Sequence, residues 1–293
     1  MRRLVVGADA LITSDPFVGP DGEAVASIGT PTVSVVNAAG TTLAVPVASA
    51  VADGTGRYKV TLTAATHLTQ PDRLTLTWTG GGQTVVDQVD VASDRYATVA
   101  DVRSIAALAD PGEFSAARIL AAITEFEDIA DTYRGIAYVR RVSVDRVRVE
   151  QGCSKLSFDR VMVRQVRAIY NAAGTALPVT SWALNGRGFV NIDSYLAGIA
   201  YSTLGAGYDV TVVWEHGQDT GVPETLRRAT VQHVRSTLLN ESSGLSRDVI
   251  ATAEQGFVTR YSTPSWKDGR PTGFTEVDRL LNQIPDRRPA GIA

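Results

Sequence analysis

The residues of this chain that are best suited by type to acid–base or metal chemistry are its three histidines, His67, His216 and His233. Each lies in a separate segment, and no cysteine or second histidine stands at a spacing typical of metal ligands. His216 follows an apolar run and is interpreted as a turn residue, while His233 lies on the apolar face of a predicted helix and is interpreted as a packed core residue. The histidines therefore predict neither a catalytic site nor a metal site.

Other reactive groups also lack the partners that catalysis needs. Cys153 is the single cysteine and has no evident histidine partner, and Gly205-Ala206-Gly207 lacks the flanking strand, helix and third glycine of a nucleotide-binding loop. One predicted helix carries several carboxylates close together: Glu125, Glu127, Asp128 and Asp131. Carboxylates one to four residues apart usually occupy a solvated or intersubunit face. The sequence therefore predicts no enzyme, no cofactor and no metal.

A local excess of positive charge marks the segment from residue 140 to residue 167, which carries eight basic residues against three acidic ones. The candidate basic face consists of these arginines: Arg140, Arg141, Arg146, Arg148, Arg164 and Arg167. Such a face can meet phosphates or an acidic partner. No aromatic residues interleave with the arginines to stack on bases, so a solvated outer sheet face is the favoured interpretation.

Composition indicates a chain that can bury a core. The 293 residues are 44% hydrophobic and 20% charged, with a formal net charge of -3, so no overall basic excess draws the protein to nucleic acid. A single cysteine excludes an intrachain disulfide. No apolar run approaches the roughly 20 residues of a membrane helix, so no membrane partner is predicted.

Residues 1–92 show short apolar alternations separated by turn signals, such as Thr32–Val36, Tyr58–Leu62 and Leu74–Trp78, with glycine-rich turns at Asp53–Gly56 and Gly80–Gly82. A further strand is predicted at 43–45. Six or seven strands in about ninety residues are typical of a β-sandwich. The segment resembles the small immunoglobulin-like (Ig-like) modules of surface and virion proteins.

The apolar period changes to that of helices near residue 97 and returns to that of strands near residue 137. The fold class predicted is α+β multidomain: an immunoglobulin-like sandwich at 1–92, a mainly helical domain at 93–241, and an extended C-terminal docking tail at 242–293. Within the second domain, helices are predicted at about 98–109, 115–134 and 223–240, with a β-rich insertion at about 137–215.

The predicted tail carries few apolar side chains, yet those it has suit docking on a neighbour. Aromatic anchors stand at irregular intervals: Phe257, Tyr261, Trp266 and Phe274. A short amphipathic helix would present Val277, Leu280, Leu281 and Ile284 to a groove, with Arg279, Arg287 and Arg288 meeting acidic groups there. The alternative is a disordered terminus.

Several segments carry a resemblance by their order. Two predicted helices contain Thr98–Arg103 and Phe114–Ile123, followed by the strand Val161–Val166. Val210–Gly217 then leads to Val222-Pro223-Glu224, and the last segment is Gly269–Asp278. Over residues 97 to 285 this order resembles the head-to-tail adaptor (head completion, or connector) proteins of long-tailed phages. Residues 1–92 depart from that family, because simple adaptors lack such a domain.

The resemblance implies a structural virion protein at the head-to-tail interface, made in the host bacterial cytoplasm. It implies a homo-oligomeric ring, usually a dodecamer, seated on the portal protein and contacting downstream stopper or tail proteins. Double-stranded genomic DNA would pass through the lumen without specific recognition during packaging and ejection. Alternatives are another connector or tail component (a stopper or tail terminator), a glycan-binding surface adhesin with Trp266 at the sugar site, or a hydrolase.

Overall fold

The chain folds as an α+β protein in the computed structural model. The structure describes these residues: 2–18, 23–24, 29–46, 48–50, 56–149, 155–157, 162–177, 183–184, 189–191, 208–242, 251–254, 257–260 and 271–285. Contacts between Cα atoms divide the chain into two compact units, and the division does not follow the sequence continuously. The first unit comprises 1–94 with 140–217, and the second comprises 95–139 with 218–293. The predicted β-rich insertion is thus grouped with the N-terminal strands and not with the helices.

The N-terminal part of the first unit consists of two sheets. One has the order β1-β7-β6-β3 and the other has the order β2-β5-β4. Strand β1 pairs parallel with β7, and the other pairs are antiparallel. The strand bounds are β1 Arg2–Val5, β2 Ala10–Thr13, β3 Thr32–Asn37, β4 Ser49–Ala50, β5 Tyr58–Leu62, β6 Asp72–Gly80 and β7 Gln83–Ala92. The prediction of a strand at 43–45 is wrong, because these residues are not in a strand. The second sheet instead contains β4 a few residues later.

One apolar core lies between these two sheets, because each strand turns alternate side chains inward. Strand β6 shows the alternation clearly, with Leu74, Leu76 and Trp78 fully buried and the intervening threonines partly exposed. Ile12 and Leu62 contribute from the other sheet. Every member of this core lies between residues 4 and 91. The N-terminal strands therefore bury their apolar side chains among themselves.

The later part of the first unit contains a third sheet, antiparallel throughout, with the order β10-β13-β8. Its central strand is β13, Tyr208–His216, and its outer strands are β8, Arg141–Val149, and β10, Val163–Asn171. A smaller sheet has the order β11-β12-β9. Its strands are β9 Lys155–Ser157, β11 Ala183–Leu184 and β12 Phe189–Asn191. Strand β12 pairs antiparallel with both β11 and β9.

The second unit contains the helices, of which the first in the chain is α1, Val99–Arg103. Thr98 and Asp101 form a full capping box, with Asp101 N–H donating to Thr98 Oγ1 at 3.1 Å and Thr98 N–H donating to Asp101 Oδ2 at 2.8 Å. The helix predicted at 98–109 is not continuous. Ile105 is extended (φ -80°, ψ 117°), so a short 3₁₀ helix at Ala106–Leu108 follows as a separate turn.

The structure confirms the two long helices that the apolar periodicity predicted: α2, Ala116–Arg134, and α3, Glu224–Ser242. Ser115 caps α2, and Gly135 ends it in the left-handed region at φ 67°, a backbone conformation that glycine adopts without steric cost. The two helices pack together. Their shared core includes Ile119, Ile123, Val234 and Leu238, to which the first helical segment adds Val102.

The C-terminal segment corrects the prediction of an extended docking tail. Strands β14, Ala251–Glu254, and β15, Phe257–Arg260, form an antiparallel pair, and the helix α4, Thr275–Asn282, packs against α3. The apolar side chains predicted to enter a groove on a neighbour are buried within this chain: Val277, Leu280, Leu281 and Ile284. Because α3 is close by in the same unit, the apolar face of α4 is buried there without a second protein.

Candidate functional site

The sheet β10-β13-β8 carries the arginines of the predicted basic face, but they do not form one uniform surface. Arg146, Arg148 and Arg164 are exposed, whereas Arg141 is buried. Arg146 pairs with Asp209 at 2.7 Å across the strands. Arg140 and Arg167 belong to an ion-pair network. The predicted basic face is therefore a set of separate environments, several of them already neutralised.

Two β-bulges in β10 explain where Arg164 and Arg167 lie. Val163 pairs with His216 and Gln165 with Glu215, so Arg164 is the extra residue in the register of this bulge. The same break occurs between Val166 and Ala168, which makes Arg167 the extra residue of the second bulge. A bulge re-aims the side chain of the extra residue and bends its strand. In this edge strand each bulge inserts an arginine.

Glu215 lies at the centre of the network. Its residue is 3% exposed, and each carboxylate oxygen accepts a hydrogen bond at 2.5 Å, Oε1 from Arg140 Nε and Oε2 from Arg167 Nη2. Burial alone would raise the pKa of Glu215, but the hydrogen bonds from the two arginines outweigh it and hold the pKa below the ordinary value. Glu215 is therefore a buried anion that fixes two guanidinium groups.

Arg167 links this anion to the N-terminal strands of the same unit. Its Nη1 donates to the carbonyl of Pro71 at 2.7 Å and lies 3.5 Å from Asp72 Oδ2. Burial raises the pKa of Asp72, although hydrogen bonds from the backbone of Arg73 and Ala38 and the charge of Arg167 oppose the shift. We call Arg140, Glu215, Arg167 and Asp72 the Glu215 cluster.

A cleft of about 450 Å³ lies next to the Glu215 cluster. The following residues line it: Arg140, Met162, Val163, Arg164, Gln165 and Glu215. Met162 has φ 63°, which is uncommon for a residue other than glycine. Its carbonyl accepts a hydrogen bond from Gly217 N–H at 3.2 Å. This bond joins the residue before β10 to the residue after β13. Strained backbone of this kind clusters at ligand sites.

The histidines have structural environments. His216 is not a turn residue as predicted but the last residue of β13, 2% exposed, with Nε2 3.0 Å from Ser143 Oγ. His233 confirms the prediction of a packed core residue, since it is fully buried with its ring against Phe126 at 5.0 Å and Phe274 at 5.5 Å. His67 accepts a hydrogen bond from Thr63 N–H at Nδ1 (3.1 Å), and its other ring nitrogen meets a carbonyl.

The carboxylates of α2 correct a second prediction. Glu125 and Asp128 are exposed as expected, but Glu127 and Asp131 are fully buried. Glu127 Oε1 lies 3.0 Å from Arg95 Nε and accepts a hydrogen bond from a backbone N–H at 2.9 Å. Asp131 accepts a hydrogen bond from the hydroxyl of Tyr96. These carboxylates hold the segment before α1 onto α2, and so they stabilise the helical unit.

The remaining residues predicted to bind a partner are dispersed. Phe274 packs on His233, and exposed Arg279 pairs with Glu276 at 2.7 Å within α4. The side chains of Phe257, Tyr261, Trp266, Arg287 and Arg288 lie outside the described residues. In the described part of the chain, no group of three or more potential ligand residues could hold a metal ion. No described helix has the length and apolar character needed to cross a bilayer.

Glu215 and Asp72 are the site residues that the sequence prediction missed. A signal for Glu215 exists, since an acidic residue within the apolar run of β13 is rarely buried unless it is paired. The arrangement holds Arg140 and Arg167 in fixed positions on Glu215, and Arg140 also lines the cleft. Comparison of the chain with protein-family models and with curated proteins finds no match.

Proposed function

We propose that this protein is a structural, non-catalytic component of a phage virion, a head-to-tail adaptor that forms a ring on the portal vertex. The observation that carries the proposal is the chain order, in which the strands of the sheet β10-β13-β8 lie between the helices α2 and α3 while these helices pack on each other. A chain with this order builds one helical unit from two separate segments, with the strands of the sheet between them in the sequence.

The segments that carry the family resemblance also come together within each unit. The strand segments Val161–Val166 and Val210–Gly217 contain the antiparallel partners Val166 and Trp214. The helical segments contribute Val102 and Ile119 to one core with α3. Segments that pack together constrain one another, so their common order is a stronger signal than any one of them.

For residues 1–92 we propose an immunoglobulin-like sandwich. The sheet order β2-β5-β4 matches the strand order B-E-D of that fold, and β3, β6 and β7 match C, F and G. The first strand departs from the constant-type arrangement, because β1 joins the C-F-G sheet by pairing parallel with β7. As a connector component, the protein would present this module as an added domain.

The site chemistry supports binding over catalysis. The Glu215 cluster contains arginines and ion-paired carboxylates, and the neighbouring His216, whose Nε2 lies 3.0 Å from Ser143 Oγ, is only 2% exposed. We expect no turnover of nucleotides, esters or glycosides. Replacement of His216 by alanine should lower stability locally and leave assembly intact. If His216→Ala yields particles that assemble normally but fail to infect, a catalytic or ligand-binding role for His216 would replace this interpretation.

Ring formation on a portal tests the proposed function. The purified full chain should be monomeric or weakly associated alone and should form a closed ring when mixed with portal rings, because a symmetric template closes a head-to-tail interface. Multi-angle light scattering gives the mass of the complex, and electron microscopy gives its symmetry. A ring with the portal's symmetry supports the proposal. A stable twofold dimer that ignores the portal would refute it.

A further inference from the structure

The first unit contains the same five-residue turn twice. Asn37–Thr41 and Asn171–Thr175 both read Asn-Ala-Ala-Gly-Thr, and each begins at the last residue of a strand, β3 or β10. In each turn the glycine N–H donates to the asparagine carbonyl at 2.9 Å, and the threonine N–H donates to the asparagine Oδ1 at 2.8 Å. The two glycines have φ 76° and 77°. The turns therefore agree in sequence, hydrogen bonds and backbone conformation.

The strands around the two turns are paired in the same way. In the N-terminal part, β5 pairs antiparallel with β2 and β4, and β6 pairs antiparallel with β3 and β7. In residues 141–216, β12 pairs antiparallel with β9 and β11, and β13 pairs antiparallel with β10 and β8. The strands β9 to β13 thus repeat the pairing of β2 to β6 in the same chain order, and β8 takes the place of β7.

A buried tryptophan and its carboxylate partner show that β8 occupies the position of β7. Trp78 of β6 donates its indole N–H to Asp87 of β7 at 3.0 Å. Trp214 of β13 donates its indole N–H to Asp145 of β8 at 2.5 Å. In both sheets the aspartate lies opposite the residue two positions before the tryptophan. The same interaction therefore joins equivalent positions of the two strand pairs.

The strands β7 and β8 also agree in sequence. Strand β8 ends in Val-Asp-Arg-Val-Arg-Val, and β7 contains Val-Asp-Gln-Val-Asp-Val. One of the differences is matched by an exchange on the neighbouring strand. Asp90 of β7 lies opposite Arg73, whereas Arg148 of β8 lies opposite Asp209, so both members of the pair have changed sign. Opposite charges across the strands are favourable in either order.

We infer that residues 141–216 are a second copy of the N-terminal pair of sheets, in which the strand that is last in the first copy has become the first. The first copy runs from β2 to β6 and then to β7, whereas the second copy runs from β8 to β9 and on to β13. Domains whose termini lie close together tolerate such a circular permutation. This relation between the two parts holds whatever role the protein has in a virion.

The second copy contains an inserted residue that contacts the first copy. In β3, the buried Val33 and Val35 have one residue between them, and in β10 the equivalent Val166 and Ile169 have two. The extra residue is Arg167, at the second bulge. Its guanidinium donates to a backbone carbonyl of the first copy at 2.7 Å. The insertion therefore supplies the arginine through which the second copy binds the first.

Deletion of Arg167 in the full chain tests the inference. Without this residue, the buried residues on either side of it are one position apart, as in β3, and both still point inward. The urea midpoint of the deletion should lie within about 0.5 M of that of Arg167→Ala, which loses the same ion pairs but keeps the residue. The matched control is deletion of Ser34, the single residue between Val33 and Val35 of β3. That strand has no insertion, so the control moves a valine to the outer face and should lower the midpoint by more than about 1 M.

Two outcomes of the deletion experiment overturn the inference. If deletion of Arg167 lowers the midpoint as far below Arg167→Ala as deletion of Ser34 falls below the wild type, Arg167 is a regular residue of its strand. If deletion of Ser34 has no effect, β3 tolerates any change of spacing and the comparison of β3 with β10 fails.

The indole N–H signals of the tryptophans give a test that needs neither deletion. In the full chain with ¹⁵N-labelled tryptophan, Asp87→Asn and Asp145→Asn should each move a different indole signal, because each removes a carboxylate acceptor. The control Asp209→Asn removes a carboxylate of the same sheet that pairs with an arginine, and it should move neither of these signals. An Asp145→Asn chain in which no indole signal moves would show that β8 does not occupy the position of β7, and the second copy would be refuted.

Discussion

Replacing Glu215 by glutamine removes the anion that holds two arginines together. Glutamine has nearly the same size and keeps one oxygen, so the change tests charge and not packing. Arg140 and Arg167 would then face each other with no carboxylate between them, and the side chain of Arg167 is only 12% exposed. Like charges at short range in a partly buried place repel each other. The variant should therefore destabilise the first unit.

The size of this destabilisation depends on which other groups still stabilise the charge of each arginine. Removing one partner of a buried ion pair typically costs about 3 to 5 kcal/mol, because the other charge is left uncompensated. Here the cost is lower, since Arg140 is partly exposed to water and Arg167 keeps the carbonyl of Pro71 and the carboxylate of Asp72. We expect the free energy of unfolding to fall by about 2 to 3 kcal/mol.

Urea unfolding followed by tryptophan fluorescence measures this change, because Trp78 and Trp214 are both buried in the affected unit. With a denaturant slope of about 2 to 3 kcal/mol per molar urea, the midpoint should fall by about 1 M. The control is Asp209→Asn, which breaks the pair with Arg146, whose side chain is 73% exposed. An exposed pair contributes below about 1 kcal/mol, so the control should shift the midpoint little.

Equal midpoints for Glu215→Gln and Asp209→Asn would refute this reasoning. The Glu215 cluster would then contribute no more than a solvated surface pair. A large shift for Glu215→Gln accompanied by a changed slope would instead indicate that the variant alters the compactness of the unfolded or folded state. Only a lower midpoint at an unchanged slope supports the predicted loss of a buried ion pair.

Further predictions concern acidity, the helical unit and the N-terminal strands. The folded-state pKa of Glu215 is lower than its ordinary value of 4.5, so its stabilisation is complete above that pH and is lost as the pH falls through the folded-state value. Urea midpoints of the wild type and Glu215→Gln should accordingly converge in acid, and a constant difference would contradict this. Tyr96→Phe leaves buried Asp131 without that hydroxyl, and it should cost about 1 to 3 kcal/mol in thermal unfolding followed by circular dichroism. Leu281→Ala should cost about 2 to 5 kcal/mol in the same assay, whereas no change would show that α4 is not part of the helical core. A chain of residues 1–92 should fold alone, because its core is internal, and a random-coil circular dichroism spectrum would exclude this.

The local patterns of the sequence determined most of the elements. The period of 3.6 predicted α2 and α3, and the predicted bounds of α2, 115–134, agree with the structure, where Ser115 and Gly135 cap the helix within one turn of its ends. Alternation of apolar and polar residues predicted the strands β3, β5 and β6. One failure is also local, since the helix predicted at 98–109 is interrupted at Ile105, where the backbone is extended.

Strand β10 has a spacing of apolar residues that is visible in the sequence but does not fit the simple alternation of a regular strand. Its buried residues Val163, Val166 and Ile169 recur every three positions, whereas an unbroken strand buries every second residue. A spacing of three fits a strand only if one extra residue is inserted in each interval, and the two bulges supply it. The arginine in each interval is the residue that the geometry re-aims.

Only the tertiary structure determined which residues form the ion pairs and which surface covers α4. Asp72, Arg140, Arg167 and Glu215 come from distant segments, and no local rule brings them together, since an ion pair depends on which surfaces meet after the chain has collapsed. The same holds for α4, whose amphipathic pattern was visible in the sequence. Amphipathicity predicts that a face will be buried but not by which surface. That surface is α3 of the same chain, because its proximity within the unit makes burial there independent of any second protein.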